Sequence, residues 1–149
     1  MCIRDFELKD KDTVLKMAAD FYHSPGVLHP IPIENFSRVY DEMCGGGSHR
    51  LRGILIEKKG QPVGFCSLSF SYSTEAGGPV VLLEEVYIQK EYRCQGLGSK
   101  LLQFLKTEYA KKAARLRLEV APENIKAKCL YEGFGFETLP YVQMILEEF

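Results

Sequence analysis

The sequence predicts a mixed α/β fold: a central sheet of about six to seven strands flanked by four helices, with a single strand–helix–strand crossover. Three observations carry this. Pro79 to Ile88 (PVVLLEEVYI) is an apolar, β-branched run of strand length, followed by a glycine-rich turn and then by leucines at helical spacing. Arg115 to Val120 (RLRLEV) alternates polar and apolar residues and leads into a second helical pattern. Leu51 to Lys58 and Pro62 to Tyr72 alternate on either side of Lys59-Gly60, as the arms of a hairpin do. A doubly wound sheet needs repeated crossovers, and the pattern supplies one.

In chain order, Cys2 to Leu8 reads as a first strand. Asp10 stands as N-cap of a helix with Val14, Met17, Ala18 and Phe21 on one face. Ser24-Pro25-Gly26 is turn chemistry, so this helix stops near His23. His29-Pro30-Ile31-Pro32 excludes regular helix. A second helix then runs from about Ile33 through Phe36, Val39 and Met43 to Gly45-Gly46-Gly47. After the hairpin, a loop from Ser73 to Pro79 enters the central strand. Leu97, Leu101, Phe104 and Leu105 mark the third helix. Asn124 to Glu132 is the fourth, ended by Gly133 and Gly135. Phe136 to Thr138 and Tyr141 to Leu146 are expected to close the chain as two short strands.

A length of 149 residues suits one domain, 1–149, with a real core. The net charge of −1 argues against nucleic acid or an anionic membrane as partner. No apolar run reaches membrane-spanning length, and no signal-peptide pattern opens the chain. Cys2, Cys44, Cys66, Cys94 and Cys129 are scattered, with no CxxC spacing and no Cys/His cluster, so no metal site is expected. Free thiols point to a reducing compartment, the cytoplasm.

The central stretch carries the chemistry. Two carboxylates, Glu84 and Glu85, interrupt an apolar strand, where they are costly unless paired or used. Gly96 and Gly98 allow a tight turn and close approach of a ligand. The first N–H groups of the following helix lack intrahelical partners and attract anions, and Arg93 adds a positive charge beside them.

Arg93-x-x-Gly96-x-Gly98 after LEEVYI resembles the acyl-CoA signature of the GNAT superfamily of N-acetyltransferases. A second segment, Asn124-x-x-Ala127, then Leu130-Tyr131, then Gly135-Phe136, resembles that family's other CoA segment. The order of elements agrees over nearly the whole length. The resemblance implies acetyl-CoA as acyl donor. Arg93, Cys94, Gln95, Gly96, Leu97, Gly98 and Ser99 would cradle the pyrophosphate, Val86 and Ile88 would pair with the pantetheine amides, and Asn124 would help hold the cofactor. Tyr131 would face the thioester sulfur as the acid. Cys94 departs from the pattern, since many members carry glycine there; altered packing is expected rather than lost binding.

A primary amine has a pKa near ~10.4, so under ~0.1% is nucleophilic at pH 7 and a base is needed. Successive strand residues face opposite sides, so only one of Glu84 and Glu85 is expected on a given side. The resemblance favours Glu84, which matches the glutamate of the LED-type strand in polyamine-type members. A free N–H near Val86 would serve the oxyanion. From where the first two helices meet in that family, the resemblance also implies Phe21, Tyr22 and His23 with His29 to Pro32 as lining of the acceptor pocket, with a plain packing role the alternative. The reading is an N-acetyltransferase acting on a primary amine of a small molecule or peptide by direct attack. A homodimer through Tyr141 to Phe149 would follow a habit of the family. Two other classes stay open. One is a non-catalytic acyl-CoA sensor. The other is a dinucleotide-binding enzyme with Glu119 as ribose ligand, which lacks a third glycine because Leu101 holds its place.

Overall fold

The computed structural model describes residues 1–24, 27, 29–45 and 49–147. Pro25, Gly26, Gly46 and Gly47, part of two expected breaks, lie outside the described residues. The elements are β1 (Cys2–Asp5), α1 (Lys11–Tyr22), α2 (Ile33–Cys44), β2 (Leu51–Lys58), β3 (Gln61–Ser73), β4 (Gly78–Ile88), α3 (Leu97–Tyr109), β5 (Arg115–Leu118) and α4 (Ile125–Gly133). Single 3-10 turns at Leu8–Asp10 and Lys90–Tyr92 join them. The five strands form one sheet in the order β1-β2-β3-β4-β5. The first four pair antiparallel, and β5 joins β4 in parallel through the α3 crossover.

Each face of the sheet has its own core. Ile54, Cys66, Leu68, Val81 and Leu83 pack against Leu97, Leu101 and Leu105 of α3, with Leu130 and Tyr131 of α4 at the margin. Leu55, Phe65 and Tyr87 pack on the other face against Val14, Met17 and Ala18 of α1 and Phe36 and Tyr40 of α2. The helical periodicities bury the expected face in α1 and α3, whereas in α2 Tyr40 is buried and Val39 is exposed, and α4 is only half-buried. Tyr40 stacks on Phe6 with ring centroids 5.0 Å apart, and its hydroxyl donates to the Glu7 carbonyl at 2.7 Å.

Several boundaries differ from expectation. β1 ends at Asp5, and Phe6 to Asp10 turn away from the sheet edge. Asp10 does precede α1, but its carboxylate does not cap that helix. It accepts instead from Arg4 Nη1 at 2.7 Å, Arg4 Nη2 at 3.0 Å and the Glu7 N–H at 2.9 Å. Two hydrogen bonds to the Arg4 guanidinium outcompete a cap to the N–H groups of the helix. β5 stops at Leu118 rather than Val120.

The largest correction concerns the C-terminus. Phe136 to Thr138 and Tyr141 to Leu146 are not strands, so among the described residues the sheet has five strands and not six or seven. Val142, Met144 and Ile145 are 88%, 92% and 84% exposed. Alternation shows which side a strand would bury, but a strand exists only through a ladder with a neighbour. β5 offers just four paired residues, and Pro140 removes a donor from the segment. Among the described residues no helix is long and apolar enough to cross a membrane.

Candidate active site

The site begins where β4 and β5 part. Pairing runs from Val80↔Arg115 to Leu83↔Leu118 and then ends. β3 stays paired with β4 as far as Gly64↔Ile88. The Gln89 N–H donates to Val63 of β3 at 2.9 Å. By the two-residue period of a strand, the N–H groups of Val86 and Ile88 face the opposite edge, where β5 no longer lies. The central strand thus offers an unpaired backbone edge just past its own midpoint.

The same parting opens a cleft bounded by Phe21, Leu83, Glu84, Val86, Asn124 and Tyr131, among others. Asn124 sits at the N-cap of α4, where its Oδ1 accepts from the Ala127 N–H at 3.3 Å. Tyr131, two turns on, packs edge-on against Phe136 at 5.9 Å. Burial pushes its hydroxyl up to about 12, with the Cys66 thiol a lesser cause.

At the far end of β4 the chain makes the turn into α3. Cys94 and Gly96 both adopt left-handed backbone, at φ 57° and 75°. Gly96 is the N-cap of α3, and the first helical donor with a partner is Lys100, which bonds to the Gly96 carbonyl at 3.0 Å. The N–H groups from Cys94 to Ser99 have no carbonyl partner among the described residues. They form a concave run of donors at a helix N-terminus, the arrangement that holds phosphate oxygens. Leu97 is buried in the core and anchors this end. Gly98 has ordinary φ; a Cβ there would come within 3.0 Å of Leu130 Cδ2, so this glycine permits α4 to pack against the start of α3. Arg93 is braced rather than free: its Nε donates to the Ile88 carbonyl at 2.7 Å, and its guanidinium lies 5.7 Å from the Tyr87 ring centre. Gln95 bonds to the Glu91 carbonyl at 2.9 Å and takes a hydrogen bond from Lys58. That lysine is a positive charge beside the loop which the sequence reading missed.

The two glutamates depart from simple alternation. The β3–β4 register shifts at this point: Ser67 pairs with Glu85, while Leu68 pairs with Leu83, leaving Glu84 as the extra residue of a bulge. The Ser69 hydroxyl donates to Glu84 Oε1 at 2.6 Å, and the Ser67 hydroxyl donates to Glu85 Oε2. Ser67 and Ser69 share one face of β3, so both carboxylates reach that face, contrary to the expectation that only one would. Glu84 is exposed at the cleft. Glu85 is mostly buried and also accepts from the Tyr22 hydroxyl. Burial drives its carboxyl up to about 7, the Tyr22 bond opposes the rise, and Glu84 adds to it.

Phe21, Tyr22, Val27, His29 and Ile31 line a wide groove that continues from Glu84 and Glu85. His23 lies outside it, exposed, with Nδ1 2.7 Å from the Ala19 carbonyl. The Tyr22–Glu85–Ser67 and Ser69–Glu84 contacts were missed by the sequence reading. Their signal was present: CSLSFSYS places a serine at every second position of β3, opposite the glutamate pair.

A sheet split between its parallel pair, with a donor-rich loop entering the crossover helix, defines an acyl-CoA-type acyltransferase fold. Solved structures agree. A possible acetyltransferase from Clostridium difficile matches 99% of this chain and 97% of its own at a TM-score of 0.85 and 21% identity. An aminoglycoside N-acetyltransferase in complex with CoA matches 98% and 93% at 0.79 and 17%. The model of the acetyltransferase (GNAT) family covers residues 15–136, and the chain belongs to that family. Among curated relatives, thialysine N-epsilon-acetyltransferase of Bos taurus is 35% identical over 97 residues, 61% of this chain and 56% of that protein. A probable spermine N(1)-acetyltransferase of Bacillus subtilis subsp. natto is 31% identical over 93 residues, 60% and 61% respectively. The chain thus spans about three fifths of the length of the curated relatives it matches.

Proposed function

We propose that this chain is a single-domain, acetyl-CoA-dependent N-acetyltransferase that acylates a primary amine of a small molecule or peptide by direct attack. One observation carries the reading: Val86, on the edge of β4 that β5 leaves free, lines one cleft with Glu84, Asn124 and Tyr131, and further along the chain the N–H groups of residues 94 to 99 have no carbonyl partner among the described residues. An elongated ligand with amides in its middle and phosphates at one end suits that set of donors. Acetyl-CoA would supply the acyl group as a thioester.

The loop N–H groups hold the pyrophosphate, helped by Arg93 and Lys58. Val86 and Ile88 pair with the pantetheine amides as an added strand would, and Asn124 steadies the same arm. Glu84, exposed at the cleft and oriented by Ser69, takes the proton from the incoming ammonium, directly or through water. The free N–H of Val86 is the donor for negative charge building on the carbonyl oxygen. A C–N bond forms and the C–S bond breaks; the second proton, which the nitrogen sheds on becoming an amide, goes to the departing sulfur. With its pKa near 12, Tyr131 is better suited to a strong hydrogen bond to sulfur than to full transfer. Full transfer to a thiolate of pKa ~8.5 would run about 5 kcal/mol uphill.

The names of the relatives (thialysine, spermine, aminoglycoside acetyltransferases) support a cationic amine as acceptor. Cytoplasmic residence is part of the reading, supported by five cysteines that are all free thiols. So is a homodimer, supported by the apolar C-terminal segment left exposed. The proposal assigns no role to a metal.

Titration calorimetry with CoA and acetyl-CoA, followed by turnover against a panel of amines, tests the whole. Heat with both ligands and acetylation of at least one amine are expected. Heat without turnover would make the chain an acyl-CoA sensor. No heat with either would remove the CoA reading.

A further inference from the structure

The transfer described above leaves one buried ionisable group unused. Glu85 receives two hydroxyl donors from two different elements, Tyr22 on the last residue of α1 and Ser67 on β3. Ser67 is fully buried. The other polar tie between this end of α1 and β4 is long, Tyr87 to Asp20 at 3.5 Å. Phe21 sits beside Tyr22 with its ring 5.0 Å away, and packs edge-on against Phe65 at 6.5 Å and Tyr87 at 6.3 Å. Phe21 borders both the narrow cleft with Glu84 and Tyr131 and the wide groove beyond it. Phe21 is the chain neighbour of Tyr22, so what holds Tyr22 also holds part of the wall that the two spaces share with Glu84 and Tyr131.

We propose that Glu85 is a positioning residue for the acceptor side of the site: by accepting from Tyr22 and Ser67 it clamps the end of α1 against β4 and sets the opening through which an amine reaches Glu84. This rests on the acetyltransferase reading for its substrate but on geometry alone for the clamp. Glu85 touches neither the acyl donor's loop nor Tyr131, so it acts through Tyr22 and Phe21.

The clamp depends on charge. An ionised carboxylate accepts both hydroxyl hydrogens, whereas a protonated one must turn one hydroxyl round and loses a charge-assisted bond. Burial holds the Glu85 carboxyl near 7, with Glu84 on the same strand pushing in the same direction. The other groups facing it stay neutral there. Burial, and then Glu85 itself, push up both the Tyr22 phenol and the Cys66 thiol of β3. His29 lines the groove but belongs to the segment after α1. The clamp therefore loosens as pH falls through about 7.

Steady-state kinetics at saturating acetyl-CoA, from about pH 6 to 9, with Glu85→Gln and Tyr22→Phe test this. Removing one such bond should raise the acceptor KM about fivefold at pH 8, with kcat and the acetyl-CoA KM within about twofold. In the wild type the acceptor KM should climb below pH ~7, and Glu85→Gln should flatten that climb. Wild-type acceptor KM and pH profile in both variants would overturn the proposal. A readout free of turnover separates it from the reading it rests on: carboxyl carbon NMR should show Glu85 titrating near neutrality, and higher still in Tyr22→Phe, which lacks a donor to the ionised form. A Glu85 titration that Tyr22→Phe leaves unmoved overturns the clamp even if the chain acetylates amines, because the carboxylate then has no Tyr22 donor to lose. A titration that Tyr22→Phe moves upward, with no amine acetylated, supports the clamp and removes the transferase reading instead.

Discussion

Glu84 and Glu85 are chain neighbours with opposite surroundings. Glu84 is exposed and held by Ser69, while Glu85 is buried between two hydroxyls. Glu84→Gln removes the proposed proton acceptor and should lower kcat about 10²-fold, the ordinary worth of one general base. Tyr131→Phe should cost a similar factor while calorimetry shows CoA affinity within about threefold, since its hydroxyl has no other partner among the described residues. Glu85 also makes stability depend on pH. Its folded pKa of about 7 lies above the ordinary value of 4.5. The folded chain thus binds that proton more tightly than the unfolded one. This contribution is complete below pH ~4.5 and is lost as pH rises through ~7, about 3 kcal/mol in all. Asp10, held below its usual value by Arg4, acts in the opposite sense, and only at lower pH. Urea unfolding at about pH 5 and 8 should show the wild type losing stability upward, and Glu85→Gln losing much less.

The turn into α3 explains itself element by element. Gly96 at φ 75° has open space around a notional Cβ, so only backbone strain keeps other residues out. Gly96→Ala should cost about 1 kcal/mol of stability and weaken CoA binding about tenfold, because the same strain moves the donors at the helix start. Cys94, at φ 57°, already bears such strain where the family often has glycine. Relief of about 1–2 kcal/mol against glycine's extra unfolded entropy of about 0.5–1 leaves Cys94→Gly stabilised by up to about 1.5 kcal/mol, with CoA affinity kept. Melting curves and calorimetry on the two variants check both statements. This loop was legible from its glycines and the leucines after it, because turn chemistry and helical period are local. The bulge at Glu84 was not. Alternation arithmetic assumes an unbroken ladder, and a register shift arises only when two strands meet.

The C-terminal segment shows the same limit across the molecule. Tyr141 to Leu146 has a strand's composition, yet it lies apart from the five-stranded sheet with its apolar side chains in solvent. If those side chains are covered by a second copy, light scattering should give twice 16.9 kDa for the full chain. Truncation after Leu139 should give a single mass with the helical and sheet signals kept, since the core on either face of the sheet draws nothing from beyond that residue. A full chain of single mass at micromolar concentration would remove the dimer.

Read from the chain alone, the four helices, the hairpin, the central strand and the glycine-rich loop were already visible. All of these rest on periods and turn residues within a dozen positions of one another. Tertiary structure decided the rest: which serine each glutamate meets, which carboxylate is buried, that Lys58 stands by the loop, and that the last segment leaves the sheet. Those outcomes depend on contacts between residues far apart in sequence, where burial and register, set only when the faces close, outweigh local preference.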